Sequence, residues 1–422
     1  MDINNLLQGV PCSCGKHHSC DIDYVYIESG AVNHLSEICK NYHNILMVAD
    51  ENTFSAAGEK TRMALAGKNI ETVIFSGKEI LVPNEAAIAS VSQALKDSEM
   101  IVGIGSGVIQ DLCKYVSFYQ KVPYIIVATA PSMDGYASNG AAMITDGMKV
   151  TYAAGLPRAI IGDVDILKNA PMDMIKAGYG DVIGKFSALN DWKLSHLIND
   201  EYFCGYIYDL TYEQIQTTLN LADGILKRDA NSIQALMEAL VVIGILMSFA
   251  GSSRPASGSE HHLSHFFEIT GILTGKNYFS HGVDVAYSTV ITAKLREKLL
   301  KTPFPQEIYR PAPQEYTKKM EDLYRSSAQG CMALQEKMGR YENNNAQMYG
   351  NKEAEIRQIL AEMPTAAEIE NMLSLVELDM NEFYALYGNE KINDAILYAK
   401  DLKDRYTVLW MYYDFLGGEA NV

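Results

Sequence analysis

The stretch Met100-Ile101-Val102-Gly103-Ile104-Gly105-Ser106-Gly107 decides how this chain is read. An apolar run that ends in Gly-x-Gly-x-Gly leaves a strand, turns tightly and presents backbone N–H groups to a pyrophosphate at the start of a helix. Other short β-rich runs flank it: Tyr24 to Ile27, Ile45 to Val48, Thr72 to Phe75 and Tyr124 to Ala128. They alternate with stretches of helix-forming composition such as Glu85 to Asp97, which predicts a doubly wound α/β layer. The glycines alone also fit a plain strand-to-helix turn. The usual dinucleotide fingerprint has its acid about 20 residues after them, whereas here the best acid, Asp50, ends an apolar run that precedes them.

After the run at Tyr124 to Ala128 comes a polar connection, Thr129 to Gly140, placed where α/β sheets bind ligands. Its hydroxyls and Asp134 suit a hydroxyl-bearing ligand, although polar loops are common without one. Met143 to Ile161 follows, with Asp146-Gly147 reading as a hairpin turn. From Pro171 onward strand signals nearly vanish, and Tyr212 to Leu226, Ser232 to Phe249, Asp284 to Leu300 and Ala366 to Leu375 read as helices. The polar stretch Gly339 to Lys352 reads as a loop. The break at Lys168-Asn169-Ala170-Pro171 therefore predicts an α/β domain over 1–168 and an all-helical domain over 169–422, with the active site in the cleft between them.

The 422 residues are 48% hydrophobic and 21% charged, ordinary for a soluble globular chain, and the formal charge of −17 argues against nucleic acid or an anionic membrane as partner. The most apolar long stretch, Ala239 to Ala250, is shorter than the ~20 residues of a membrane span and reads as a buried core helix. The N-terminus lacks the basic start and apolar core of a signal peptide. Seven cysteines, an odd number spread over a large chain, do not make a disulfide framework; a reducing cytoplasm is the expected home.

Four of the nine histidines fall within Glu260 to His281. His261 and His265, four apart, share a helix face. With Asp181 in Gly178-Tyr179-Gly180-Asp181, two imidazoles from His261 and His281 make a set that holds a divalent transition ion and leaves positions open for a substrate oxygen. The bland alternative is a hydrogen-bond network at a helix start. Another candidate, Cys12-Ser13-Cys14-Gly15-Lys16-His17-His18-Ser19-Cys20, could take a soft ion, but with Cys-x-Cys and no second ligand pair downstream a terminal turn or hairpin is the better reading.

Five ordered blocks make the chain resemble the sn-glycerol-1-phosphate dehydrogenase family, of the dehydroquinate synthase-like and iron-containing alcohol dehydrogenase-like superfamily. They are Gly103 to Lys114, Ala130 to Ser138, Gly178 to Lys185, Ser253 to His261 and His281-Gly282. The resemblance implies a dinucleotide-binding α/β domain followed by a helical metal domain. It implies Asp181, His261 and His281 as metal ligands, His265 as the proton donor near substrate, and Asp134 as a substrate-contacting acid. Gly105, Gly107, Val108, Ile109, Gln110, Asp111, Thr129, Ser132 and Ser138 fall on dinucleotide contacts, and Asp50 on the acid that receives the adenosine ribose. Val283-Asp284 departs from the Gly-Glu of many superfamily relatives. The expected reaction interconverts dihydroxyacetone phosphate and sn-glycerol 1-phosphate with one divalent ion (Zn, Ni or Fe). Its cofactor is expected to be NAD(H) rather than NADP(H), because a carboxylate at Asp50 repels a 2′-phosphate. Arg254 and Lys185 are the cations embedded in these blocks and are expected at the phosphate. The alternatives are a glycerol dehydrogenase and a dehydroquinate synthase-like lyase. Further copies of the chain, as a dimer or larger, are the expected protein partners.

Overall fold

A computed structural model describes residues 3–79, 81–145, 148–308, 310 and 312–417. The chain forms two compact units, Met1–Val182 with Gln216–Ser253, and Ile183–Ile215 with Arg254–Val422.

In the first unit a small antiparallel hairpin, β1 (Val10–Pro11) and β2 (His17–His18), precedes β3 (Tyr24–Glu28), β4 (Asn44–Asp50), β5 (Asn69–Phe75), β6 (Met100–Gly105) and β7 (Tyr124–Ala128). A second hairpin, β8 (Gly140–Thr145) and β9 (Met148–Ala153), leads to β10 (Ala159–Asp163). Asp146-Gly147, the predicted hairpin turn, lies outside the described residues. Strands β3 to β7 and β10 form one parallel sheet in the order β3-β10-β7-β6-β4-β5.

Strands β6, β7 and β10 are wholly buried, which is why their sequences are continuous apolar runs rather than alternations. Side chains still alternate between the two faces. Ile45, Met47 and Ala49 join Val102, Ile104 and Val127 in one core, while Leu46 and Val48 join Ile101, Ile109 and Leu112 in the other. From β4 the chain runs outward to β5 and then back across to β6 on β4's other side, so the crevice above the carboxyl ends of β4 and β6 is the topological switch point.

Helix α1 (Glu85–Leu95) is capped by Asn84, and α2 (Gly107–Gln120) starts at the glycine turn. Helix α3 (Met172–Ile183) ends the first stretch of the first unit, and α4 (Lys185–Asn199) opens the second unit. Helix α5 (Ala230–Ala250) is capped by the Asp229 side chain and stopped by Gly251 at φ 70°. At 21 residues it is long and apolar enough to cross a bilayer, but 78% of its most apolar window is buried inside the protein. It packs on β3 and on the turn at Gly135–Ala137, as a core helix. That packing takes residues 216–253 into the first unit although composition places them among the helices beyond Pro171. In the second unit, α6 (Ser259–Thr274) and α7 (His281–Lys301) lie against each other.

Two expectations change in detail. Tyr212 to Leu226 is two helices, Gly205–Leu219 and Ala222–Leu226. The Gly339 to Lys352 loop contains a short helix, Ala346–Asn351, organised by burial of Ala346 and Tyr349 rather than by an apolar repeat.

Candidate active site

The switch-point crevice is a cavity of about 340 Å³ lined by Asp50, Asn52, Gly77, Lys78, Ser106, Val108 and Ile109, among others. Gly105 has to be glycine, because a Cβ there would press into the buried side chain of Ile109, and α2 could not start so close to β6. Asp50 caps the turn after β4: its Oδ1 accepts from the Thr53 N–H at 2.8 Å, and the Thr53 hydroxyl accepts from the Asp50 N–H at 3.0 Å. A carboxylate, a glycine-rich helix start and an open crevice suit a ribose and its pyrophosphate. Gln110, expected at the dinucleotide, is fully buried and donates to the Tyr124 hydroxyl and the Tyr136 carbonyl, both at 3.1 Å. Its side chain is turned into the interior instead of the crevice, because those two acceptors lie beneath α2.

The loop after β7 is tied down from below. Thr129 N–H donates to the Gly105 carbonyl at 3.1 Å, which joins the ends of β7 and β6. Lys114, wholly buried on α2, donates to the Gly135 carbonyl (3.2 Å), the Ser138 hydroxyl (3.3 Å) and the Gly140 carbonyl (2.8 Å). Burial pulls its ammonium below the usual lysine range, and Asp111 at 3.3 Å opposes that pull. Asp111 also accepts from the Ala142 N–H at 3.1 Å. Asp111 and Ser138, predicted to meet the dinucleotide, are thus at least partly engaged in shaping the loop. The loop also packs on α3, whose Gly178 has no Cβ to strike the Pro131 carbonyl. Consequently the Asp134 N–H reaches the buried Asp181 Oδ2 at 3.0 Å.

In the second unit, His261 and His265 on α6 and His281 at the first position of α7 form a triangle of rings, with centroids 6.2, 5.0 and 5.6 Å apart. A nitrogen of His261 and one of His281 lie within 4.8 Å of each other. Glu260 Oε1 faces His261 Nδ1 at 2.7 Å and accepts the Gly258 N–H at 2.8 Å. A carboxylate behind Nδ1 makes Nε2 the nitrogen that could meet a metal and raises its basicity. Burial pushes the Glu260 carboxyl up, against the pull of the Gly258 N–H and of Lys185. The start of α6 is held by Asp191, whose Oδ2 accepts the Ser259 N–H at 2.6 Å and whose Oδ1 pairs with Arg296 at 2.7 Å.

Comparison with known proteins identifies the family. Residues 26–171 match the iron-containing alcohol dehydrogenase family. The glycerol-1-phosphate dehydrogenase (NAD(P)+) of Halalkalibacterium halodurans is 36% identical over 292 residues, covering 67% of this chain and 73% of that protein. The Geobacillus thermodenitrificans protein of the same name is 31% identical over 346 residues, covering 77% and 86%. The chain belongs to the glycerol-1-phosphate dehydrogenase family. Its enzyme class is therefore oxidoreductase. Among solved structures, glycerol dehydrogenase from Schizosaccharomyces pombe matches with a TM-score of 0.60 at 16% identity, over 95% of this chain and 91% of that one. That likeness supports the dehydroquinate synthase-like architecture, a parallel sheet followed by a helical part.

Two residues of this family member carry more than the sequence reading assigned, and one carries something else. Lys114 and Glu260 both lie in the blocks of the resemblance, yet without their partners nothing marked one as a loop staple and the other as the carboxylate behind His261. Arg254, expected at the phosphate, is 3% exposed and donates through Nε and Nη2 to both carboxylate oxygens of Glu201, and through Nη2 to Ser195. Its charge is already matched by a bidentate pair with the half-buried Glu201, which does not fit an anion-receiving role. Lys185 sits buried at the first position of α4, where its positive charge favours the ionised Glu260 carboxylate. Asp284, the departure after His281-Gly282, is buried and accepts the Tyr387 hydroxyl at 2.8 Å, so it anchors α7.

Proposed function

We propose that this chain interconverts dihydroxyacetone phosphate and sn-glycerol 1-phosphate, using NAD(H) and one divalent ion (Zn, Ni or Fe) held by Asp181, His261 and His281. The observation that carries the reading is the His261–His281 pair, with Glu260 behind His261 and His265 beside both, in a member of a family whose curated relatives bear that activity in their names. The donor set of one carboxylate and two imidazoles suits such an ion. When bound, the ion polarises the substrate carbonyl and the reduced nicotinamide supplies the electron pair.

The remaining steps belong to the chain. His265 delivers the proton to the new hydroxyl, directly or through water. Asp134, oriented by its N–H bond to Asp181, binds a substrate hydroxyl and so selects the face attacked. Gly105, Gly107, Val108 and Ile109 receive the pyrophosphate at the start of α2, with Thr129, Ser132 and Ser138 on the loop beside it. Asp50 accepts from the adenosine ribose and sets the preference for NAD(H). Arg254 is paired to Glu201, and Lys185, in the block that carries Asp181, is assigned to the phosphate. We place the protein in the cytoplasm as a dimer or larger, and keep 1–168 and 169–422 as the dinucleotide-binding and metal-binding parts.

The test is metal analysis of the purified chain coupled to NADH oxidation with dihydroxyacetone phosphate, followed by the chirality of the product. Stoichiometric NADH loss yielding the sn-1 isomer is expected. Equal turnover of unphosphorylated dihydroxyacetone would make it a glycerol dehydrogenase, and turnover without net NADH loss a lyase.

A further inference from the structure

We propose a second metal site at the N-terminal hairpin, in which Cys12, Cys14 and His18 hold a thiophilic divalent ion, zinc first among them. Nothing in the reaction above requires it, and the two readings stand or fall separately. Strands β1 and β2 pair with Val10 opposite His18 and Pro11 opposite His17. Between them the Gly15 N–H donates to the Cys12 carbonyl and the Cys12 N–H to the Lys16 carbonyl, both at 3.1 Å. Gly15 takes φ +86°, left-handed backbone that glycine adopts without cost from a side chain. The tight turn folds both thiols back over β2, and the ligand atoms of Cys12, Cys14 and His18 come within 4.8 Å of one another.

The orientation of His18 supplies the second argument. The side chain is 1% exposed and its ring stacks on Phe249 of α5, with centroids 5.3 Å apart. Nδ1 lies 3.1 Å from the Phe249 carbonyl oxygen. A carbonyl only accepts, so Nδ1 carries the hydrogen and Nε2 presents its lone pair. This is the tautomer, and the outer partner, of a metal-binding imidazole. Nε2 points at Cys14 Sγ, 3.5 Å away. A tetrahedral zinc site has sulfur–nitrogen edges of about 3.6 Å and sulfur–sulfur edges of about 3.8 Å, from bonds of about 2.3 and 2.0 Å. The Cys14–His18 edge already has that length, and Cys12 needs a movement of about 1 Å. A thiol–imidazole hydrogen bond accounts for Cys14 and His18 but does not call for a second thiol at the same point. On binding, the two thiols release their protons to water, the ion gains two thiolates and one neutral imidazole, and one position stays for water or another donor. The ion then pins the hairpin to α5 and has no part in hydride transfer.

The experiment uses the full-length chain, reduced, stripped of metal and reloaded with Co2+. Sulfur ligation gives a near-ultraviolet thiolate-to-cobalt charge-transfer band, which the carboxylate and imidazole set of the catalytic site cannot produce. The band is expected in the wild-type chain, lost in Cys12→Ser/Cys14→Ser and kept in His261→Ala/His281→Ala. Its absence from the wild-type chain, or its survival in the double serine variant, would overturn the proposal. Isolation of Cys12 and Cys14 as a disulfide that persists under reductant would do the same. Should the double variant fail to fold, the wild-type spectrum and the single variant Cys14→Ser, expected to lose the band, still decide.

Discussion

Replacing Lys114 by Met removes a buried cation while keeping most of its volume, and it probes the link between α2 and the loop that carries Asp134. Lys114 donates to three acceptors, the Gly135 and Gly140 carbonyls and the Ser138 hydroxyl, and faces Asp111 at 3.3 Å. The Gly135 carbonyl keeps a second donor, the Ser138 hydroxyl at 3.1 Å, so its loss is the smallest. The Gly140 carbonyl loses a charged donor, at about 1 to 3 kcal/mol. Asp111 loses its buried counter-charge, and breaking such a pair from one side costs about 3 to 5 kcal/mol in full burial. Asp111 is 17% exposed and retains the Ala142 N–H, which discounts that figure. A total near 3 kcal/mol follows, roughly the sum of one lost charged hydrogen bond and a partly screened ion pair. Urea unfolding of wild type and Lys114→Met measures it, and hydrogen exchange over residues 129–140 shows whether the loss is local. Faster exchange in that loop, with weaker NADH and substrate binding, is expected. A stability change below about 1 kcal/mol, the ordinary size of a single mutation, with unaltered exchange, would refute the reasoning.

Three further outcomes follow from single residues. Asp50→Ser keeps an oxygen for the Thr53 N–H and so should cost little stability, yet removing the carboxylate should raise kcat/KM for NADPH relative to NADH about tenfold, about 1.4 kcal/mol; an unchanged ratio would remove Asp50 from cofactor choice. Arg254→Met leaves the half-buried Glu201 without its partner and, with the pair partly screened by solvent, should lower stability by about 1 to 2 kcal/mol while leaving the ratio of KM values for phosphorylated and unphosphorylated substrates unchanged; a selective rise for the phosphorylated one would restore the arginine to the phosphate. His262 is fully buried, and neither ring nitrogen has a hydrogen-bond partner among the described residues. Burial first, then the charges of Lys403, Arg405 and Arg254, hold its pKa well below 6.5. Below pH 6.5 the unfolded chain takes up a proton there that the folded chain does not, so stability should fall by about 1.4 kcal/mol per pH unit. Urea midpoints in His262→Leu should show a shallower decline over that window, and identical slopes would contradict the assignment.

The sheet was legible because a parallel strand buried on both faces must be apolar along its length, and the runs at Ile45, Met100 and Tyr124 are. The glycine turn was legible for a similar reason: Gly105 answers to Ile109, four residues away, and so leaves its mark locally. Histidine clustering pointed to His261, His265 and His281, which the second unit does bring together. Spacing marked Asp181 less clearly than the histidines, and its hydrogen bond to Asp134 depends on a glycine that lets α3 meet Pro131. What tertiary structure alone decided are the properties set by partners distant in the chain. Arg254 and Gln110 have ordinary sequences around them; one is neutralised by Glu201, 53 residues off, and the other turns inward to Tyr124 and Tyr136. Helix α5 joins the first unit because its apolar surface is covered by β3 and the Gly135 turn. The His18 tautomer is set by a carbonyl 231 residues away. Periodicity and turn chemistry report a residue's neighbours along the chain, whereas charge pairing, burial and tautomer are fixed by neighbours in space.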